Sequence, residues 1–346
     1  MKAGVYLGSS EQYLDARFHI REHANHPNVT AGTETLKIVY LHIGRGKTGT
    51  TTQQRYLGHN QAVLRAAGVH YILADGGGRG SGHQNFAKSF IADPPAYMIP
   101  ASDPEGTRRA VAEEIVGSDA PTILISSENF QLAQVDAVAE WFASLPVPCK
   151  IRVIYFARSQ DELAESQYNQ MVKLKCEARN FITFIEEALE GVDHFDECER
   201  WASVFGRENI IVRIYDGAQN NASRQLWSCL PLADIEMPPA PGKGADYANR
   251  ALGIRALVVA RMLNRVEIEN RDALYKKLFA AIATCDIPAV LFSSADARAF
   301  RTRFHESNRR FSETYLGSRM EDLGGRRYDD AARDAHFRAA RALVEF

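Results

Sequence analysis

The sequence predicts an α/β fold with three layers, in which a parallel sheet carries helices on both faces and a helical region follows toward the C-terminus. Short apolar runs rich in Val, Ile and Tyr alternate with longer amphipathic segments, which is the pattern of successive strand and helix units. These short runs are apolar throughout, as expected for parallel strands that are buried on both faces. Beyond residue 217 only helical patterns remain.

The first two thirds of the chain supply the predicted sheet and its helices. Strands are expected at 36–43, 68–73, 122–126, 151–157 and 209–215. Helices are expected at 50–67, 107–116, 161–175, 180–190 and 195–205. The helix near residue 160 has the clearest start, because Ser159 and Glu162 have the spacing of a capping box.

The C-terminal third begins with a connection rich in Pro and Gly, LPLADIEMPPAPGKGADYANR at 230–250. Helices are expected after it at 249–264, 272–284 and 295–316. We expect one domain over 35–346, with a core at 35–217 and a helical part at 218–346, preceded by a polar extension at 1–34. A separate small C-terminal domain is the alternative.

Composition excludes several classes of partner. The 346 residues include 41 basic and 43 acidic side chains, a net charge of −2, so nothing favours nucleic acid or an anionic membrane. No stretch is apolar enough to predict a membrane helix. The five cysteines are scattered, with no spacing typical of a metal site, so we expect a reducing, cytoplasmic location and no metal.

One motif is of particular interest, HIGRGKTGTTTQQ at 42–54, which lies between a predicted strand and a predicted helix. A Walker A loop would need its first Gly at position 41, but that residue is Leu41 within the strand. The strand TILIS is followed by Glu128, where an ATPase would usually place an Asp for Mg²⁺. The sequence therefore does not predict an ATP-binding loop of that kind.

A dinucleotide-binding turn is the second interpretation, since the glycines at 44, 46 and 49 spell G-x-G-x-x-G and Asp75 follows the next strand. Against it, Lys47 and the neighbouring threonines bring a cation and hydroxyls to the helix start. A dinucleotide pyrophosphate is held mainly by backbone N–H groups and needs no lysine. Such a set of groups favours a highly charged terminal group.

This motif resembles the 5′-phosphosulfate loop of sulfotransferases that use 3′-phosphoadenosine 5′-phosphosulfate, and it is most similar to the bacterial glycan-type pattern H-I-G-x-x-K-T-G-T-T-x-x-Q. Gly46 stands where many relatives have Pro. A second match is Arg158 at a strand end with Ser166 eight residues later, which resembles the family's 3′-phosphate site. Arginine can bind a phosphate through two donors, and a hydroxyl adds a third.

The resemblance runs from about residue 36 to 216 and ends in RWASVFGRENIIVRIYD. Beyond that, Lys243 and Gly244 weakly resemble part of a late R-K-G loop of the family that also binds the 3′-phosphate. The resemblance implies a P-loop-like fold, the sulfate donor as co-substrate, and no metal. It also implies transfer of a sulfuryl group to a hydroxyl, and the expected acceptor is a carbohydrate or glycolipid.

The resemblance further implies roles for individual residues. The donor would be bound by Arg45, Gly46, Lys47, Thr48, Gly49, Thr50, Thr51, Arg158 and Ser166. Lys47 would also stabilise the leaving phosphate. The general base would be Glu128 or His83, either of which could instead bind the acceptor. Further acceptor contacts are expected from Tyr168, Asn169 and Lys173, and the arginine-rich stretch 301–310 could line the cleft.

Two other functions remain open at this point. An ATP-dependent small-molecule kinase would bind ATP and need Mg²⁺. A non-catalytic binding module of the same fold would keep the nucleotide site but would have no need for Lys47.

Overall fold

The computed structural model describes residues 35–174, 176–187, 189, 191–215, 221–239, 251–282, 287–324 and 329–344. Five strands in this part of the chain form one sheet: β1 (Lys37–His42), β2 (Val69–Tyr71), β3 (Thr122–Ser126), β4 (Cys149–Ala157) and β5 (Ile210–Ile214). Their order is β2-β3-β1-β4-β5, and every pair is parallel. The predicted parallel α/β sheet is confirmed.

The sheet separates two apolar cores because successive strand side chains point to opposite faces. On β4, Val153 and Tyr155 pack into one core, whereas Ile154 and Phe156 pack into the other. Both cores bury these side chains almost completely. The strands are therefore covered on both faces, which is why they read as continuous apolar runs.

Nine helices are described in the sheet-bearing part: α1 (Thr50–His59), α2 (Gln61–Ala66), α3 (Gln84–Lys88), α4 (Pro104–Gly117), α5 (Val135–Ala143), α6 (Gln160–Lys173), α7 (Phe181–Glu187), α8 (His194–Phe205) and α9 (Asn221–Trp227). The predicted helix 50–67 divides at Asn60, whose side-chain amide donates to the carbonyl oxygen of Tyr56 at 2.8 Å. Asparagine favours such helix ends. Ser159 begins α6 as predicted, but its hydroxyl bonds to Asp161 and makes no capping bond.

The described C-terminal helices are α10 (Ile254–Leu263), α11 (Arg271–Ile282), α12 (Ser294–Thr302), α13 (His305–Tyr315) and α14 (Asp330–Val344). The helical C-terminal region is thus confirmed, although the predicted helix 295–316 divides between α12 and α13. A third core joins this region to α6 and α7, with Leu257 and Phe300 packed around Tyr168 and Phe181. One side of α6 is therefore covered by C-terminal helices.

Buried charges reinforce the packing of the C-terminal helices on α6. The Asp161 carboxylate lies 2.8 Å from Arg333 and 3.2 Å from Arg301, and all three side chains are nearly inaccessible to solvent. Arg301, which was expected to line a cleft, instead pairs with Asp161 inside the fold. Arg309, in the same arginine-rich stretch, pairs with Glu306 on its own helix at 2.5 Å. Removing one partner of a buried pair is strongly destabilising.

Candidate active site

The candidate site lies where β1 and β4 are neighbours. The chain leaves β1 toward β2 on one side of the sheet and leaves β4 toward β5 on the other. Crevices form beyond the carboxyl ends of parallel strands at such a switch point. The 43–49 loop, Glu128 and Arg158 follow the ends of β1, β3 and β4, so all three lie at this edge.

The 43–49 loop turns tightly through three residues with positive φ: Gly44 at 61°, Lys47 at 74° and Gly49 at 79°. Thr48 closes the turn, because its hydroxyl donates to the carbonyl oxygen of Arg45 at 2.6 Å and its N–H donates to the same oxygen at 3.1 Å. A β-carbon at position 49 would lie 2.9 Å from the side chain of Ala222, so only glycine fits there. Lys47 is the one residue of the three that pays a steric cost for a left-handed backbone.

Thr50 begins α1 directly after this turn and offers a hydroxyl to whatever binds there. Its side chain is 5 % exposed, and Oγ1 has no hydrogen-bond partner among the described residues. The first turn of α1 carries no acidic side chain, and the first N–H groups of a helix lack partners within the helix. An unsatisfied hydroxyl together with free N–H groups at a helix start favours an anion.

Lys47 extends from this loop toward α6, where Nζ donates to Oε1 of Gln170 at 3.3 Å. Burial lowers the pKa of Lys47 to about 8, helped by the positive charges of Arg158 and Lys173 and opposed by the Glu128 carboxylate. Three cations therefore lie near two carboxylates, Glu128 and the Glu162 partner of Arg158. The remaining positive charge is costly without a further anion to balance it.

Arg158 connects the loop to the start of α6. Its Nη1 donates to the carbonyl oxygen of Lys47 at 2.7 Å, and Nε lies 3.3 Å from the Glu162 carboxylate. The guanidinium lies 5.5 Å from the ring centroid of Tyr215, which follows β5. A buried guanidinium with a fixed aromatic neighbour is well suited to hold a phosphate with two donors.

A buried histidine fixes the backbone at Arg158. Nε2 of His194 donates to the carbonyl oxygen of Arg158 at 2.7 Å, and Nδ1 accepts from the hydroxyl of Tyr155 at 2.7 Å. Burial lowers the pKa of His194 to about 4, so the ring is neutral near pH 7. This contact was not predicted, since a single His far from the motifs carries no spacing signal.

One face of α6 is directed toward the loop. Glu162, Ser166, Gln170 and Lys173 recur at intervals of three or four residues, so they share that face. Glu162 contacts Arg158 and Gln170 contacts Lys47. Helical spacing thus places Ser166 and Lys173 on the same face as Gln170, a residue that the sequence motifs did not indicate.

Tyr168 and Asn169 lie elsewhere on α6. Tyr168 is 2 % exposed, its hydroxyl donates to the carbonyl oxygen of Arg179 at 2.8 Å, and its ring packs against Phe181. Asn169 is bonded to the backbone of Leu252. The structure therefore corrects the expected acceptor contacts: these two side chains anchor the third core.

Glu128 begins a short 3-10 turn, Glu128–Leu132, directly after β3. Its Oε2 accepts from Nε2 of Gln54 at 3.2 Å and from Nε2 of Gln84 at 3.2 Å. The carboxylate is half-buried and faces Lys47 closely enough to influence its charge. A carboxylate held on one oxygen beside a cationic loop has the geometry expected of a general base.

His83, the other predicted base, is fully buried, with 0 % exposure. Nδ1 accepts from the N–H of Ser126 at 2.9 Å, and Nε2 donates to the carbonyl oxygen of Ile72 at 2.8 Å. Burial lowers the pKa of His83, so the ring is neutral. We expected it on a loop that closes over substrate, but a β-carbon at Gly58 would lie 2.7 Å from Gly80, so this glycine-rich loop packs directly on α1.

Arg45 has a buried side chain, whose Nη1 donates to Oε1 of Gln131 at 3.0 Å. A β-carbon at Gly191 would lie 3.1 Å from this guanidinium, so the backbone at Gly191 lies close against the Arg45 side chain. Gly46 has no neighbour within 4 Å of an added β-carbon, so the surrounding fold leaves room for a β-carbon there. Lys243, Gly244 and the extension 1–34 lie outside the described residues.

No group of three or more His, Cys, Asp or Glu side chains in the described ranges could hold a metal ion. No helix within those ranges is long and apolar enough to cross a membrane.

Comparisons with known proteins give distant similarities. No protein-family model matches the chain. An uncharacterized protein of Archaeoglobus fulgidus is 23% identical over 215 residues, which are 58% of this chain and 55% of that protein, so the chain spans about half the length of the curated relative it matches. A solved sulfotransferase from Alicyclobacillus acidocaldarius is 14% identical, with a TM-score of 0.40 over 71% of this chain and 91% of that chain. These matches assign no family.

Proposed function

We propose that this protein is a sulfotransferase that moves a sulfuryl group from 3′-phosphoadenosine 5′-phosphosulfate to a hydroxyl group. The observation that supports it best is the convergence of Lys47, the unsatisfied Thr50 hydroxyl and Arg158 at the switch point of the sheet. A loop motif and a separate arginine, more than a hundred residues apart, form one cationic site. This arrangement suits a ligand with two anionic groups.

The donor's two charged ends match two parts of this site. Residues 46–51, with the N-terminus of α1, would hold the 5′-phosphosulfate through N–H groups, hydroxyls and the lysine. Arg158 and Ser166 would hold the 3′-phosphate, with the Tyr215 ring beside the guanidinium. A ligand with only a terminal phosphate chain would leave Arg158 and Ser166 without a role.

The transfer itself is an in-line displacement at sulfur. The acceptor oxygen forms a bond to sulfur, while the bond between sulfur and the bridging oxygen breaks and its electron pair remains on the 5′-phosphate. Lys47 stabilises that developing charge, and Glu128 takes the acceptor proton. The products are a sulfate ester and adenosine 3′,5′-bisphosphate. The buried, neutral His83 has both nitrogens engaged by backbone groups, so the base role goes to Glu128.

Lys47 has a charge that suits this task. With its pKa at about 8, the side chain is mostly protonated near pH 7 but can release its proton more readily than an exposed lysine. It can therefore act on the leaving oxygen as a cation or as a proton donor. We keep a carbohydrate or glycolipid hydroxyl as the proposed acceptor and the cytoplasm as the proposed location, both from the sequence resemblance.

The test is transfer of labelled sulfate from the donor to a panel of saccharides and glycolipids, with ATP and Mg²⁺ assayed in parallel. The wild type should give labelled sulfate esters, and Lys47→Ala should lose roughly a hundredfold or more in rate. Lys150→Ala, an exposed change at the amino end of β4, should behave as wild type. Phosphate transfer from ATP would instead support a kinase, and unchanged sulfate transfer by Lys47→Ala would overturn the proposal.

A further inference from the structure

Glu128 is held by two glutamines that come from different parts of the chain. Gln54 lies in α1, and Gln84 is the first residue of α3. Both amide nitrogens lie 3.2 Å from the same oxygen, Oε2. All the hydrogen bonds that the described residues make to this carboxylate therefore go to one oxygen, which leaves Oε1 for other partners.

Gln84 is held at both ends of its side-chain amide. Its Oε1 accepts from the hydroxyl of Ser127 at 2.8 Å and from Nδ2 of Asn129 at 2.7 Å. Its Nε2 also donates to the carbonyl oxygen of Ser81 at 3.3 Å. With both ends of the amide occupied, the side chain has one favoured orientation. Ser127 and Asn129, the two neighbours of Glu128 in the sequence, thus orient the Gln84 amide that donates to Glu128.

We propose that Gln84 is a positioning residue for the base, with Gln54 as a second donor; this rests on the proposed function. The two amides fix the carboxylate plane and occupy Oε2, so that Oε1 receives the acceptor proton when the acceptor oxygen bonds to sulfur. Gln84 itself does not contact the reacting atoms in this scheme. Misplacement of a catalytic group by about 1 Å can lower a rate roughly a hundredfold, so the effect is measurable.

The experiment uses Gln84→Met, which keeps the side-chain length and removes the amide, both its donor to Glu128 and its acceptor for Ser127 and Asn129. We expect kcat to fall roughly tenfold or more, with the KM for the acceptor changed less than about twofold and the affinity for adenosine 3′,5′-bisphosphate unchanged. Lys88→Met, one turn further along α3, is the matched control and should retain wild-type kcat. Thermal denaturation of each variant shows whether the fold is intact.

A double-mutant cycle separates positioning from a merely structural role. If Gln84 acts through Glu128, Gln84→Met should have little further effect in a Glu128→Gln background. An equal loss in both backgrounds, or wild-type kcat in Gln84→Met, would overturn the inference while leaving the proposed function intact. If Gln84→Met does not fold, Gln54→Met provides the same cycle from α1. Absence of sulfate transfer by the wild type would overturn both proposals.

Discussion

Replacing Lys47 with methionine should stabilise the fold while abolishing sulfate transfer. The pKa of the half-buried lysine falls from about 10.5 to about 8. One pKa unit corresponds to ~1.4 kcal/mol, so the charged form would cost the folded state about 3 kcal/mol at neutral pH. Partial exposure to solvent lowers that figure to about 1–2 kcal/mol. Methionine has a similar length and carries no charge, so this cost should disappear in the variant.

The stabilisation should depend on pH in a defined direction. The unfolded chain keeps the lysine proton up to a pH of about 10.5, whereas the folded chain keeps it only up to about 8. Between these values the unfolded state binds more protons, so the wild type gains stability as the pH rises. The advantage of Lys47→Met should therefore be full below about pH 8 and should vanish toward pH 10.5.

Urea denaturation at pH 7 and at pH 9.5 measures both effects. Lys150→Met is the control, because Lys150 is exposed on β4 and its replacement should not reproduce the change. A Lys47→Met protein that is less stable than the wild type at pH 7 would refute this account. An advantage that is the same at both pH values would also refute it, since the lysine charge would then not be its source.

Three further predictions follow from neighbouring features of the structure. Thr50→Val should weaken binding of adenosine 3′,5′-bisphosphate roughly tenfold, because the ligand loses a hydroxyl partner. The melting temperature of the free protein should not fall, since the buried hydroxyl has no partner in the described fold. A lower melting temperature without ligand would contradict this. Arg333→Met should lower the free energy of unfolding by about 3 kcal/mol, because Asp161 loses a buried partner. Arg298→Met, in an exposed pair between α12 and α14, should cost only about 0–1 kcal/mol by the same denaturation. Calorimetry should find that wild-type affinity for adenosine 3′,5′-bisphosphate falls as the pH rises through about 8, where Lys47 loses its charge, and that the affinity of Lys47→Met lacks this step.

The sheet could be predicted from the sequence because burial on both faces leaves an apolar run for each strand. The predicted strand 122–126 has the same bounds as β3, and each of the other four differs by at most two residues at either end. Helix ends were harder to predict, since they depend on competition between side-chain hydrogen bonds and the hydrogen bonds of the helix backbone. The break at Asn60 depends on a side-chain amide that donates to the carbonyl oxygen of Tyr56, four residues earlier. The helix α5, which was not predicted, begins without any side-chain cap.

The residues of the candidate site that could be predicted are those in a motif of charge and spacing. The uncharged side chains that bind those residues were missed. Gln170 could have been found, since it lies four residues after Ser166 on the same helical face. Tyr168, two residues after Ser166, falls on another face of α6 and is buried in the third core. Gln84 and His194 have no such signal, because only the folded chain brings them to Glu128 and Arg158.

The central claim is that this site binds a nucleotide with a 3′-phosphate. Calorimetric Kd values for adenosine 3′,5′-bisphosphate and adenosine 5′-monophosphate, in the wild type and in Arg158→Gln, test it most directly. The wild type should bind the bisphosphate roughly 10 to 100 times more tightly, and Arg158→Gln should lose most of that preference. Equal affinity of the wild type for both nucleotides, or tighter binding of ATP with Mg²⁺, would contradict the claim.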